Sequence, residues 1–287
     1  GASDTHTGAI SDDESNFTSK IGIFDGTPEG RGSAPLTGEN LELVLQAPIR
    51  QLNLKKIGDR YFNNAVFNQW GASGLAAVWA EENTRNSIFE AFRRKETYAT
   101  SGTRIKLRFF AGYELDRSLL DSDDVVKQAY EKGVPMGQDL ESSDGAKPSF
   151  LVWALRDKNS APLQRVQIIK GWVDRVTGKP HEEVIDVLCS DGLMPDPETN
   201  RCPDNGALVD ISDCSISSDV GANELKTVWT DKSFDPSVKA FYYVRVLENP
   251  TCRWSTWDAI KTGNEPREDL KKTIQERAWS SPIWYSY

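Results

Sequence analysis

The sequence predicts an α+β fold in which a helical region precedes a mainly antiparallel, sandwich-like sheet. Two observations predict it. Apolar residues recur at helical spacing around Ile88, Phe89, Ala91 and Phe92, and after Gly102 they alternate, with Ile105, Leu107 and Phe109 set against Lys106 and Arg108. Beyond that point the apolar runs are short and separated by polar, Pro-containing turns. The division is placed near Ser101, giving regions 1–101 and 102–287, and no internal repeat is found.

Residues 1–10 read as the end of a strand running into a loop. Residues 11–40, rich in Gly, Ser, Asp, Pro and Thr, read as one long loop, of the kind used for lids or left disordered. Residues 41–70 are ambiguous: Leu41, Leu43 and Leu45 alternate, whereas Leu52, Leu54 and Ile57 fit no single period. Gly71 to Ala80 is a small-residue turn entering a short apolar strand. Asn83 or Thr84 caps the clearest helix, whose apolar face is expected in the core and whose last turn carries Arg93, Arg94 and Lys95 to suit the helix dipole. Strands are predicted over Phe150–Leu155, Val166–Val173, Val184–Leu188 and Phe241–Leu247, and Asp116–Glu131 is compatible with helix. The C-terminal stretch gathers Trp254, Trp257, Trp279, Trp284, Tyr285 and Tyr287. Such rings usually cover a core, with ligand binding the alternative, and a tail this aromatic should dock on the body.

The net charge of −9 and the lack of a basic block argue against nucleic acid, whose phosphates need clustered Lys and Arg. No apolar stretch approaches the ~20 residues of a membrane-spanning helix. Cys189, Cys202, Cys214 and Cys252 contain no Cys-x-x-Cys pair, which speaks against a structural zinc site. Their even number and polar surroundings favour two disulfides, Cys189 with Cys202 and Cys214 with Cys252 being the preferred of three possible pairings. Disulfides imply an oxidising compartment, periplasmic or extracellular.

Chemistry concentrates at the start. On an extended segment Asp4 and His6, two residues apart, would project a carboxylate and an imidazole together, as a divalent metal requires. Two donors do not complete a catalytic site, which takes about three protein ligands and an open position. The only other histidine, His181, reads as part of a surface turn before a strand. No Gly-x-Ser-x-Gly elbow and no Gly-rich phosphate loop occurs.

The segment Gly1-Ala2-Ser3-Asp4-Thr5-His6-Thr7-Gly8 resembles the last metal-binding motif of the PHP (polymerase and histidinol phosphatase) hydrolases. The stretches Gly74 to Arg85, Ile88 to Phe92, Thr97 to Gly102, Phe241 to Pro250 and Ile274 to Tyr285 are similar to one bacterial branch, domain-of-unknown-function family 3604. The resemblance implies that the chain is the C-terminal part of a divalent-metal-dependent hydrolase, most simply a phosphoesterase. It implies the end of a distorted β/α barrel followed by the β-rich region, with a further N-terminal half bringing a His-x-His motif. Asp4 and His6 become ligands of Mn, Zn or Fe, and Arg104, after the Ser101-Gly102 turn, a candidate for binding an anion, against the plainer role of pairing with a local carboxylate. Trp79 and Glu82 fall in the similar stretch without an assignable role. The implied partners are the N-terminal half and a small phosphoester; self-association stays open. The alternative is a non-catalytic module whose β-rich region and aromatic tail contact a partner or glycan.

Overall fold

A computed structural model describes residues 1–48, 53–64 and 69–286. Leu52 and Tyr287, which entered the sequence reading, lie outside the described residues. The fold is α+β and sheet-rich, and among the described residues no sheet closes into a barrel.

Two sheets pack face to face. The smaller joins β5 (Lys106–Gly112), β6 (Val134–Pro135), β8 (Ser149–Leu155) and β11 (Glu224–Thr230) in the order β11-β8-β5-β6. The larger runs β10-β9-β12-β13-β4-β3, built from β3 (Leu75–Val78), β4 (Thr97–Thr100), β9 (Leu163–Val173), β10 (Pro180–Cys189), β12 (Ala240–Cys252) and β13 (Thr273–Ser280). At its side β14 (Ile283–Ser286) pairs antiparallel with β12 and parallel with β7 (Asp139–Glu141). A separate hairpin joins β1 (Leu54–Ile57) to β2 (Arg60–Asn63).

The alternation that marked these strands is what makes the sandwich. On β12, Tyr242, Val244 and Val246 are fully buried while Phe241, Tyr243 and Arg245 between them are not. They meet Leu107, Phe109, Phe150 and Val152 of the smaller sheet in one continuous core. The strands predicted over Phe150–Leu155, Val166–Val173, Val184–Leu188 and Phe241–Leu247 are all present and somewhat longer than their apolar cores. The expected division near Ser101 falls just after β4, and β4 is hydrogen-bonded to β13 through Ala278, Trp279 and Ser280.

Several expectations are corrected. Residues 1–10 contain no strand. The stretch 11–40 is docked, not disordered: Asp13 caps a 3-10 turn at Glu14–Asn16, Thr27 caps α1 (Pro28–Arg31), and α2 (Gly38–Gln46) takes up the alternating leucines. Arg31 anchors it. Its buried guanidinium donates to both carboxylate oxygens of Asp258 at 2.6 and 2.8 Å and to the Thr18 carbonyl at 2.6 Å. Asp258 belongs to α5 (Trp254–Lys261), preceded in order by α3 (Arg85–Arg93) and α4 (Val125–Lys132). Helix α3 is capped by Thr84, as expected, but only Ala91 of its apolar face is buried; Phe89 and Phe92 are 57% and 53% exposed. His181 is on β10 rather than in a turn, its ring stacked on Trp172 at 5.2 Å.

The cysteines pair as preferred, Cys189–Cys202 and Cys214–Cys252. Both bonds tie the irregular excursion between β10 and β11 to strand ends. The aromatic tail docks: Trp254 is fully buried and stacks on Phe17 at 4.8 Å, and Tyr285 is buried on β14, while Trp284 stays 47% exposed.

Candidate functional site

The N-terminal segment lies against β3. A Cβ on Gly1 would sit 2.0 Å from the Leu75 carbonyl oxygen, so the two backbones touch only because residue 1 is glycine. Asp4 then adopts φ +50°, which turns the chain and overturns the extended geometry expected for Asp4 and His6. The turn brings the two together by another route. His6 N–H donates to the Lys20 carbonyl at 2.7 Å, and with its proton on Nδ1 the ring donates to the Asp4 carbonyl at 3.1 Å. That leaves Nε2 as the lone-pair nitrogen, and both side chains face solvent.

Lys20 stands behind this turn. It is 8% exposed, and its ammonium lies 5.7 Å from the Trp70 ring. Burial lowers its pKa, opposed by the charges of Asp4, Glu14 and Asp25. Lys20 is thus the electrostatic link between the Asp4 turn and the interior. Glu14 is fixed there by backbone N–H groups of Ala72 at 2.6 Å and Trp254 at 2.5 Å, although burial still raises its pKa.

Among the described residues the Asp4 carboxylate and His6 Nε2 make no hydrogen bond, and the ring is held through Nδ1 by a carbonyl, the usual support of a metal-ligating imidazole. Among the described residues no group of three His, Cys, Asp or Glu converges. These two residues therefore fit as part of a coordination sphere, with the remaining ligands to come from elsewhere.

Arg104 lies apart, at the rim of a cavity of about 500 Å3 lined also by Asp12, Asp157, Ser160, Trp257 and Glu276. Its backbone N–H donates to Asp157 at 2.8 Å, and its guanidinium reaches Asp12 only at 3.5 Å with the side chain 72% exposed. A pair so exposed contributes roughly 0–1 kcal/mol, so the plainer expectation for Arg104, a local carboxylate partner, describes its contact. No hydrogen bond or ion pair joins Arg104 to Asp4 or His6 among the described residues.

Sequence reading missed two buried acids, Glu276 in the lining of this cavity and Glu248, which is bonded to the lining residue Ser160. Glu276 is 3% exposed; Ser101 Oγ donates to its Oε2, and Oε1 makes no hydrogen bond among the described residues. Glu248, fully buried, accepts from Ser160 Oγ through Oε2. Thr103 stands beside it, yet neither Thr103 Oγ1 nor Glu248 Oε1 makes a well-formed hydrogen bond. Desolvation pushes Glu248 up to about 7 and Glu276 up to about 8, the latter assisted by the charges of Glu14 and Glu248. One signal was available: Glu276 shares its strand face with Ala278 and Ser280, and Glu248 shares its own with Val246, so each acid sits in a core register.

No curated protein and no solved structure matches the chain. A family model described as a protein of unknown function, DUF3604, matches residues 1–287.

Proposed function

The chain belongs to the DUF3604 family, and from that premise we propose that it is the C-terminal part of a divalent-metal-dependent hydrolase of the PHP kind, acting on a small phosphoester. The observation that carries the reading is the Asp4–His6 turn, where a free carboxylate and a carbonyl-held imidazole stand on one exposed surface. Asp4 and His6 would ligate Mn, Zn or Fe, with the other ligands supplied by an N-terminal half of the same protein that brings a His-x-His motif. When bound, such ions supply Lewis acidity and a water whose pKa falls toward neutrality. The residues here hold and orient. The Asp4 carbonyl keeps the His6 proton on Nδ1, and Lys20 offsets negative charge gathered at the turn. The disulfides fit a periplasmic or secreted bacterial protein; among the described residues no helix is long and apolar enough to cross a membrane.

Metal analysis and phosphoesterase assays on the full-length protein test this. We expect stoichiometric Mn, Zn or Fe that His6→Ala and Asp4→Asn each deplete together with activity, and little turnover by residues 1–287 alone. Metal content and activity unchanged in both variants would refute it. The second reading, a non-catalytic binding module, is favoured by the cavity that holds Trp257 beside the open Glu276 oxygen. It requires glycan binding by residues 1–287 with chelator present, unaffected by His6→Ala.

A further inference from the structure

The outer face of the larger sheet carries three arginines, of which Arg165 is paired with Asp186 while Arg245 and Arg277 have no carboxylate partner among the described residues. Strand register sets Leu247 between Arg165 on β9 and Arg277 on β13, and sets Arg245 between Gln167 and Trp279. Directly opposed residues share a face, as do residues two apart on one strand. Arg165, Arg245 and Arg277 therefore surround Leu247 on the side away from the core, where Val244 and Val246 point.

Arg277 Nε donates to the Gln275 carbonyl at 3.1 Å and Arg245 Nε to Gln167 Oε1 at 2.6 Å. The terminal nitrogens of both make no hydrogen bond among the described residues, and no carboxylate there pairs with either. The acids nearby are otherwise engaged or aimed. Asp186 is shared by Arg165 at 3.1 Å and Arg201 at 3.6 Å. Glu276 faces the opposite side of its strand, Glu182 lies toward Tyr243, and Asp204 lines the adjoining groove without an ion pair to Arg245 or Arg277 among the described residues. That groove, about 630 Å3, is lined by Arg165, Arg277, Lys271, Thr273 and Gln164. Arg277 is half-buried with its guanidinium 5.9 Å from the Trp279 ring, and its pKa is lowered by burial and then by the charge of Arg245, opposed by Glu276. Two adjacent guanidinium groups, one of them partly desolvated, repel each other unless an anion lies between them.

We propose that this face binds a phosphate or sulfate group, held by Arg245 and Arg277 with Arg165 and Lys271 at its margin. Arg245 and Arg277 approach from different strands, so a tetrahedral oxyanion can offer each a separate pair of oxygens, which a planar carboxylate cannot. The site shares no residue with the Asp4–His6 turn.

The test is calorimetry and thermal unfolding of the chain in chelator, with inorganic sulfate, inorganic phosphate, acetate and chloride compared at equal ionic strength. Sulfate and phosphate are expected to bind saturably and raise the unfolding midpoint, while acetate and chloride do neither. Arg245→Gln/Arg277→Gln should weaken binding by roughly tenfold or more and unfold at a higher temperature than the parent in chloride, because repulsion is relieved. Arg245→Lys, which keeps charge and loses the fork, should weaken binding severalfold and serves where the double variant does not fold. His6→Ala should bind as the parent does. Four anions acting alike, or variants that bind sulfate like the parent, would overturn the proposal.

Discussion

Glu276→Gln separates the charge of the buried acid from its shape. In the folded chain Glu276 keeps its proton up to about pH 8, whereas the ordinary value is 4.5. Between those values the native state holds a proton that the unfolded chain has released. Stability is therefore full below about pH 4.5, falls as pH rises through the window, and levels off above about 8. At ~1.4 kcal/mol per pH unit the gap amounts to roughly 5 kcal/mol, and because Glu248 competes for the same environment we assign roughly 3–5 kcal/mol to Glu276. Glutamine keeps the acceptor for Ser101 Oγ and never ionises. Urea unfolding at pH 5, 6.5 and 8.5, with both disulfides intact, should find the variant within about 1 kcal/mol of the parent at pH 5 and roughly 3 kcal/mol or more above it at pH 8.5. A smaller slope should survive between about pH 4.5 and 7 from Glu248. Parallel stability curves for parent and variant across the range would show that Glu276 is ionised at neutral pH, and the burial argument would fail.

Two further outcomes follow from the covalent and ionic ties. Replacing Cys214 and Cys252 by Ser opens a loop with sequence separation 38, against 13 for Cys189 and Cys202; chain entropy gives losses of about 4 and about 3 kcal/mol, to be compared by denaturant melts of the two double variants. Asp258→Ala strands the Arg31 charge in the interior and should cost roughly 3–5 kcal/mol, whereas Arg31→Met/Asp258→Leu should recover much of that loss.

The strands were legible because one face of each meets a core, and burial imposes the period of two. The same rule gave the disulfide-bearing excursion, since a run of Asp, Pro, Asn and Gly cannot sustain it. What was not legible depends on contacts far apart in sequence. The docking of residues 11–40 rests on Arg31 meeting Asp258 at a separation of 227 residues. The turn at Asp4 rests on Gly1 pressing on Leu75, which no local propensity records. Phe89 and Phe92 misled because helical spacing shows which residues share a face but not what the face meets. At the candidate site, spacing brought Asp4 and His6 to notice, whereas Glu248 and Glu276 were hidden by their chemistry, as an acid in a strand is ordinarily assigned to solvent.

The pairing of β14 with both β12 and β7 has a consequence for biogenesis. Strand β7 finds its only named partner in β14, and β4 meets β13 across some of the longest separations in the fold. Strands β13 and β14 leave the ribosome after every segment they complete, so the order of synthesis runs against the order of assembly. A nascent chain that stalls before Thr273 holds β4, β7 and β12 with unpaired edges, the form in which neighbouring copies join strand to strand. The interval between the emergence of β12 and that of β14 is therefore the one in which the chain is most open to such joining.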